Sequence, residues 1–294
     1  MNKKILIYAK QLGKRNGTFN ISKINAKILS TELNADIIID SNDRILTYDY
    51  DIILCTYFNR YTDYVTLKKL VKSEQKRFLL RTEYEPVVAS AIKPFTEICN
   101  FEGGENYLNT NLLISRQPNG LTTKKYDCIY YGRYRADRMK YCAEYLQREI
   151  YLSTHPKNHK HFYHAGCRPK TIKAIDWKQG KETLNQFRYS LYMEDVYTHT
   201  VFNNLANRWY EAGFCNNVVF FDVNCLNTIK RSEIGHFESQ IMDYVVSNYS
   251  ELVEKIKHCN QDFQKHLSIQ KTWRLSEPLL RQQMIEKLKQ IIEA

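Results

Sequence analysis

The chain has 294 residues, 43% hydrophobic against 26% charged, which is enough apolar material for two ordinary domains or one large one and excludes a disordered chain. Lys and Arg outnumber Asp and Glu by 43 to 32, a formal net charge of +11, so an anionic partner such as nucleic acid or a phosphorylated ligand is favoured. Eight cysteines without a C-x-x-C pair read as buried thiols of a reducing compartment, and no apolar run approaches the ~20 residues of a membrane helix, so a soluble cytoplasmic protein is expected.

In chain order, KILIYA (4–9) reads as a first strand, QLGKRNGTFN (11–20) as a glycine-bearing loop and ISKINAKILSTEL (21–33) as an amphipathic helix. DIIID (36–40) and DIILCTY (51–57) are strands, a helix is expected near 62–75, and RFLL (77–80) is a further strand. The pattern then restarts with strand YDCIYYG (126–132), helix ADRMKYCAEYLQ (136–147), and strands EIYLST (149–154) and YSLYME (189–194). The segment NRWYEAGFCNNVVFFD (207–222) closes the series: a helix, a turn through Gly213 and Asn216-Asn217, then a bare apolar strand. Short Ile-, Leu- and Val-rich strands alternating with helices indicate parallel βαβ units covered on both faces. Polar residues with Pro118 and Asn119-Gly120 near 114–125 divide two such α/β series. The tail from about 237 onward is helical, and SEPLLRQQMIEKLKQIIEA (276–294) carries Ser276 as N-cap, Pro278 in its first turn and an apolar stripe.

Open parallel sheets bind ligands outside the carboxyl ends of their strands, usually in the cleft between domains, which directs attention to the residues that follow each strand. After YDCIYYG come Arg133, Arg135 and Arg138, a cluster at a strand-to-helix junction where guanidinium forks and backbone N–H groups can grip phosphate. Arg208 and Glu211 stand three apart on one helix face. They fit either a surface ion pair or a grip on a nucleoside diphosphate, the arginine on the diphosphate and the carboxylate on the ribose hydroxyls.

Two other patterns imitate metal sites. Asp49-Tyr50-Asp51 is an Asp-x-Asp, but Asp51 reads as the start of a strand. His155, His159, His161 and His164 stand near Cys167 without the paired spacing of a zinc site, and 155–170 reads as a basic, aromatic loop.

DCIYYGRYRADR followed by NRWYEAGFCNNVVFFD resembles the donor half of the phage DNA β-glucosyltransferase family, whose enzymes have the GT-B fold. The resemblance covers about 126–230 in sequence, and only the order of elements over the first hundred residues. It implies two Rossmann-like domains facing across a cleft: 1–120, completed by a C-terminal helix (276–294) that crosses back, and 121–275. It implies a UDP-sugar donor held by Gly132, Arg133, Arg135, Arg138, Arg208 and Glu211, with Arg135, Arg138 and Arg208 on the diphosphate and Glu211 on the ribose. RTEYEP (81–86) matches the family's strand end, putting Glu83 in the place of the catalytic base, with Glu85 as a competitor. The family's acidic residue ahead of the first helix has no counterpart here, where Asn20 and Ser22 stand.

What the resemblance implies is an inverting transfer of a sugar to a 5-hydroxymethylpyrimidine in duplex DNA. The base would be turned out of the stack, and Mg²⁺ or Mn²⁺ could assist. Basic segments at 10–15, 68–81, 157–173 and 265–274, with Tyr or Trp among them, would suit DNA phosphates. A monomer is expected, in the host cytoplasm if the chain is phage-encoded, with no membrane partner. Two alternatives stay open: a GT-B transferase acting on a polysaccharide or small acceptor, and a non-catalytic nucleic-acid-binding protein on this scaffold.

Overall fold

The computed structural model describes residues 3–10, 21–40, 49–56, 74–81, 95–99, 106–114, 123–132, 134–175, 180–194, 202 and 204–294. These form two compact units, one of residues 1–113 with 279–294 and the other of 114–278.

The first unit holds strands β1 (Ile5–Lys10), β2 (Asp36–Asp40), β3 (Ile52–Cys55), β4 (Lys76–Arg81) and β5 (Thr96–Cys99), with helix α1 (Ile21–Glu32) between the first two. The sheet order is β2-β1-β3-β4-β5, and every pairing is parallel. Ile52, Ile53, Leu54 and Cys55 are all fully buried, as expected for a parallel strand covered on both faces. Asp51 immediately precedes this strand, and its carboxylate accepts from the Lys4 amide at 2.8 Å. The expected helix near 62–75 and the loop 11–20 fall mostly or wholly outside the described residues.

The second unit holds β6 (Tyr126–Tyr131), β7 (Ile150–Ser153), β8 (Lys170–Ile172), β9 (Phe187–Tyr192), β10 (Val218–Asp222) and β11 (Val245–Val246). Their order is β11-β10-β9-β6-β7-β8, again parallel throughout. The chain starts at β6, builds β7 and β8 on one side, then returns to lay β9, β10 and β11 on the other. The topological switch therefore lies between β6 and β9, where the two crossovers leave in opposite directions, the place at which open parallel sheets commonly bind ligands.

Four sequence expectations change here. The segment read as a loop at 155–170 contains helix α3 (Pro156–His164), after α2 (Met139–Tyr145), and ends at β8. His155 caps α3, its Nδ1 accepting from the Lys157 amide at 3.2 Å, and Pro156 takes the first turn, where its missing N–H costs nothing. The helix expected from Ala136 opens as one 3-10 turn, Ala136–Arg138, before α2. Gly213 is not in a turn but inside helix α4 (Asn207–Phe214), and the turn is made by Asn216 at φ +51°. Within 265–274, Trp273 is fully buried and Arg274 is folded into the interior, so neither faces an external polyanion.

The Arg274 guanidinium lies 3.4 Å above the Trp209 indole and bonds Glu277 at 3.2 Å, while Trp209 Nε1 donates to the same carboxylate at 2.9 Å. A Cβ at Gly213 would come within 2.4 Å of that guanidinium, so the glycine is what allows the arginine to lie there. Glu277 and Pro278 open the last helix, α5 (Glu277–Glu293), and belong to the second unit; its remainder packs in the first, with Arg281 on Glu32 at 2.6 Å and Lys287 donating to the Tyr107 carbonyl at 3.1 Å.

Candidate functional site

Four of the residues expected at a donor site converge at the switch point of the second sheet. Gly132 follows β6, with its amide donating to the Ser153 carbonyl at 3.2 Å. Arg138 closes the 3-10 turn and is buried, its Nη1 donating to the Tyr130 hydroxyl at 3.2 Å. Arg208 reaches back from the first turn of α4. Its Nε donates to the Tyr131 carbonyl at 3.0 Å and its Nη1 to the Met193 carbonyl at 3.3 Å, so it straddles the carboxyl ends of both β6 and β9. A Cβ on residue 132 would stand 2.7 Å from Arg208 Nη2, so glycine is what lets the guanidinium close over the strand end.

Arg208 and Glu211 share a helix face but do not pair with each other, which removes the surface ion-pair reading. Arg208 is paired with Glu194, two residues beyond the end of β9. The other Glu194 oxygen lies 3.4 Å from Arg138 Nη2, so one carboxylate connects the two arginines. Glu211 is buried and accepts from the Tyr131 hydroxyl at 2.7 Å.

Burial pushes the Glu211 carboxyl up to about 7, while the Tyr131 hydroxyl and the Arg208 charge restrain the rise. Burial likewise raises the Tyr131 phenol well above its ordinary range, with the Glu211 charge adding to the effect. Burial works against the charge on Arg208, but the Glu194 carboxylate together with the Tyr130 and Tyr131 phenols more than offsets it and keeps the guanidinium charged above its ordinary range. The guanidinium carbon also lies 5.4 Å from the Tyr130 ring centroid and 5.7 Å from that of Tyr131, within reach of cation–π attraction. The result is two fixed positive forks beside a carboxyl group poised near neutrality.

Arg135 is exposed at the start of the 3-10 turn, and its carbonyl accepts from the Arg138 amide at 3.1 Å. Tyr134 packs its ring on His161 at 4.7 Å, tying this loop to α3. Arg133, Glu83 and Glu85 lie outside the described residues. Among the described residues no three His, Cys, Asp or Glu side chains converge on a metal position, and no helix is long and apolar enough to cross a membrane. The α3 histidines serve locally: His155 caps the helix and His161 stacks on Tyr134.

Glu194 and Tyr131 were not identified from sequence. The signal for Glu194 was present, since YSLYME runs it off a strand end, the position where ligand-binding residues gather. Tyr131 reads as one more aromatic residue of a buried strand.

No protein-family model matches this chain, and no curated protein matches it by sequence. Solved structures do. A complex of T4 phage β-glucosyltransferase with UDP and Mn²⁺ is similar with a TM-score of 0.71 at 18% identity, covering 99% of this chain and 100% of that one. An α-glucosyltransferase in complex with UDP and a 13-mer DNA containing a central A:G mismatch gives a TM-score of 0.61 at 10% identity, over 98% of this chain and 96% of that one. Anabaena HepE in complex with UDP and glucose gives 0.54 at 11% identity, over 98% and 100%. At these identities the likeness is one of fold: the chain has the α/β architecture of the GT-B glycosyltransferases.

Proposed function

We propose that this chain is a glycosyltransferase that moves a sugar from a UDP-sugar to a 5-hydroxymethylpyrimidine in duplex DNA with inversion at the anomeric carbon. The observation that carries it is the pair Arg138, buried, and Arg208, half-buried, joined through Glu194 at the switch point of the second sheet, with Glu211 one helical turn from Arg208. Two guanidinium forks suit a diphosphate, and a carboxylate beside them suits the two ribose hydroxyls. The shared fold with enzymes solved with UDP, with Mn²⁺ and with DNA supports the same reading.

In the proposed reaction Glu83 takes the proton of the acceptor hydroxymethyl group as its oxygen attacks the anomeric carbon. The bond from that carbon to the diphosphate oxygen breaks on the opposite face, which inverts the centre. Arg135, Arg138 and Arg208 stabilise the charge that collects on the departing diphosphate, and Glu211 holds the ribose. The described residues offer no metal site of three protein ligands, and none of these steps is assigned to an ion. The unit of residues 1–113 with 279–294 is proposed to carry the acceptor side and the unit of 114–278 the donor side. A monomer is sufficient for this chemistry.

The test measures UDP release from a panel of UDP-sugars with duplexes containing hydroxymethylcytosine, hydroxymethyluracil or neither, for wild type and Glu83→Gln. Release that requires a hydroxymethylated base and disappears in the variant is expected. Release that proceeds equally without DNA would reject the acceptor and leave the donor half standing.

A further inference from the structure

Glu194 has no place in the donor-site residues read from sequence, yet it is the most central charge there. It is 4% exposed, and its two oxygens face different arginines, one paired with Arg208 and the other 3.4 Å from Arg138. A carboxylate removed from water at such cost persists only where opposite charge and hydrogen bonds compensate it. Here it stands between the two forks as an anionic ligand would. Resting on the reading of this site as a diphosphate site, we propose that Glu194 is an internal counter-anion. It holds Arg138 and Arg208 in position while no ligand is bound, and an incoming diphosphate must displace it.

The consequence is selectivity by charge. Glu194 carries one negative charge and offers one oxygen to each arginine. A diphosphate carries more charge, spread over two phosphoryl groups, and can present a two-oxygen edge to each fork. It can therefore replace the carboxylate, whereas a monoanion offers no gain over what is already there. Glu194 is thus a specificity-determining residue, and the barrier it sets applies to the anion alone, whatever nucleoside the anion carries.

The experiment titrates inorganic pyrophosphate, and separately UDP, into wild type and Glu194→Gln at pH 8, with thermal unfolding as a check on folding. The exchange removes one negative charge from beside the arginines at almost constant volume, so both ligands should bind ~10-fold tighter or better in the variant, the gain growing as salt is lowered. Unchanged or weaker pyrophosphate binding by a folded variant would overturn the inference, even if UDP binds wild type well and the donor reading stands. UDP binding wild type no better than pyrophosphate would reject the nucleotide reading and leave Glu194's role intact, provided the variant shows the gain. If the variant does not fold, a structure of the wild-type protein with pyrophosphate decides. The Glu194 carboxylate should have left Arg208, and a pyrophosphate complex in which that pair persists would sink the proposal.

Discussion

The Tyr131 hydroxyl donates to Glu211 at 2.7 Å in the interior of the second unit, joining the last residue of β6 to the second turn of α4. Burial pushes the Glu211 carboxyl up to about 7, so the ribose hydroxyls of the proposed donor would meet an acceptor that is only partly ionised near neutral pH. UDP affinity should rise as pH increases through about 7 and level off above it. Tyr131 restrains the rise, so Tyr131→Phe should move the midpoint to higher pH. Calorimetric titration of UDP across pH 6 to 9, at ~0.5-unit steps, checks both.

Glu211 also links stability to pH. Its folded-state pKa is raised above the ordinary 4.5, so the folded state holds the proton more tightly and stability from this group falls as pH rises from about 4.5 to about 7. Glu211→Gln keeps the shape and an acceptor for Tyr131 without the charge. At pH 8 it should stabilise the fold by up to about 3 kcal/mol, on the order of the 2.5 between about 7 and 4.5 at ~1.36 kcal/mol each, while weakening UDP binding. Denaturant unfolding at pH 8 and pH 5 provides the comparison, and the gain should vanish at the lower pH.

Gly132→Ala places a methyl group 2.7 Å from Arg208 Nη2, closer than such a contact allows. The guanidinium cannot simply retreat, because the Tyr131 and Met193 carbonyls and Glu194 hold it. UDP affinity should fall at least ~10-fold, with a stability loss of about 1–3 kcal/mol. Fluorescence or calorimetric titration, paired with thermal unfolding, separates the two effects.

Gly213→Ala tests a sign. In an ordinary helix interior the exchange would stabilise by about 1 kcal/mol, but here the Cβ would meet Arg274 at 2.4 Å. A net destabilisation of about 1–3 kcal/mol is expected. In an Arg274→Ala background the clash disappears and the same exchange should become neutral or favourable, which a double-mutant cycle by chemical denaturation would show.

The alternating pattern made both parallel sheets legible, because strands covered on two faces are written as short apolar runs such as IILC and VVFF. β11 has two residues, too few to carry a period, β8 has exposed or half-exposed side chains, and β5 buries only Ile98 and Cys99 behind Thr96 and Glu97, so none of the three is legible as an apolar run. α3 buries only Phe162 and has no apolar stripe, which is why a segment of histidines and lysines read as a loop despite its Pro156 start. At the site, Arg208 and Glu211 were visible because a helix brings residues three apart onto one face. Their partners were not, because Tyr131 and Glu194 arrive from strand ends far away in sequence. Spacing records local neighbours, and the partner of a buried charge is chosen by sheet order.

The division of the last helix has a consequence for synthesis. Residues 279–294 complete the first unit through Arg281 on Glu32 and Lys287 on the Tyr107 carbonyl, yet they are translated after the whole of the second unit. All residues of the second unit are therefore synthesised before the first unit has its final helix, so the first cannot be completed in the usual N-terminal-first order. A chain truncated after residue 278 would hold every residue of the second unit and lack the helical segment that completes the first.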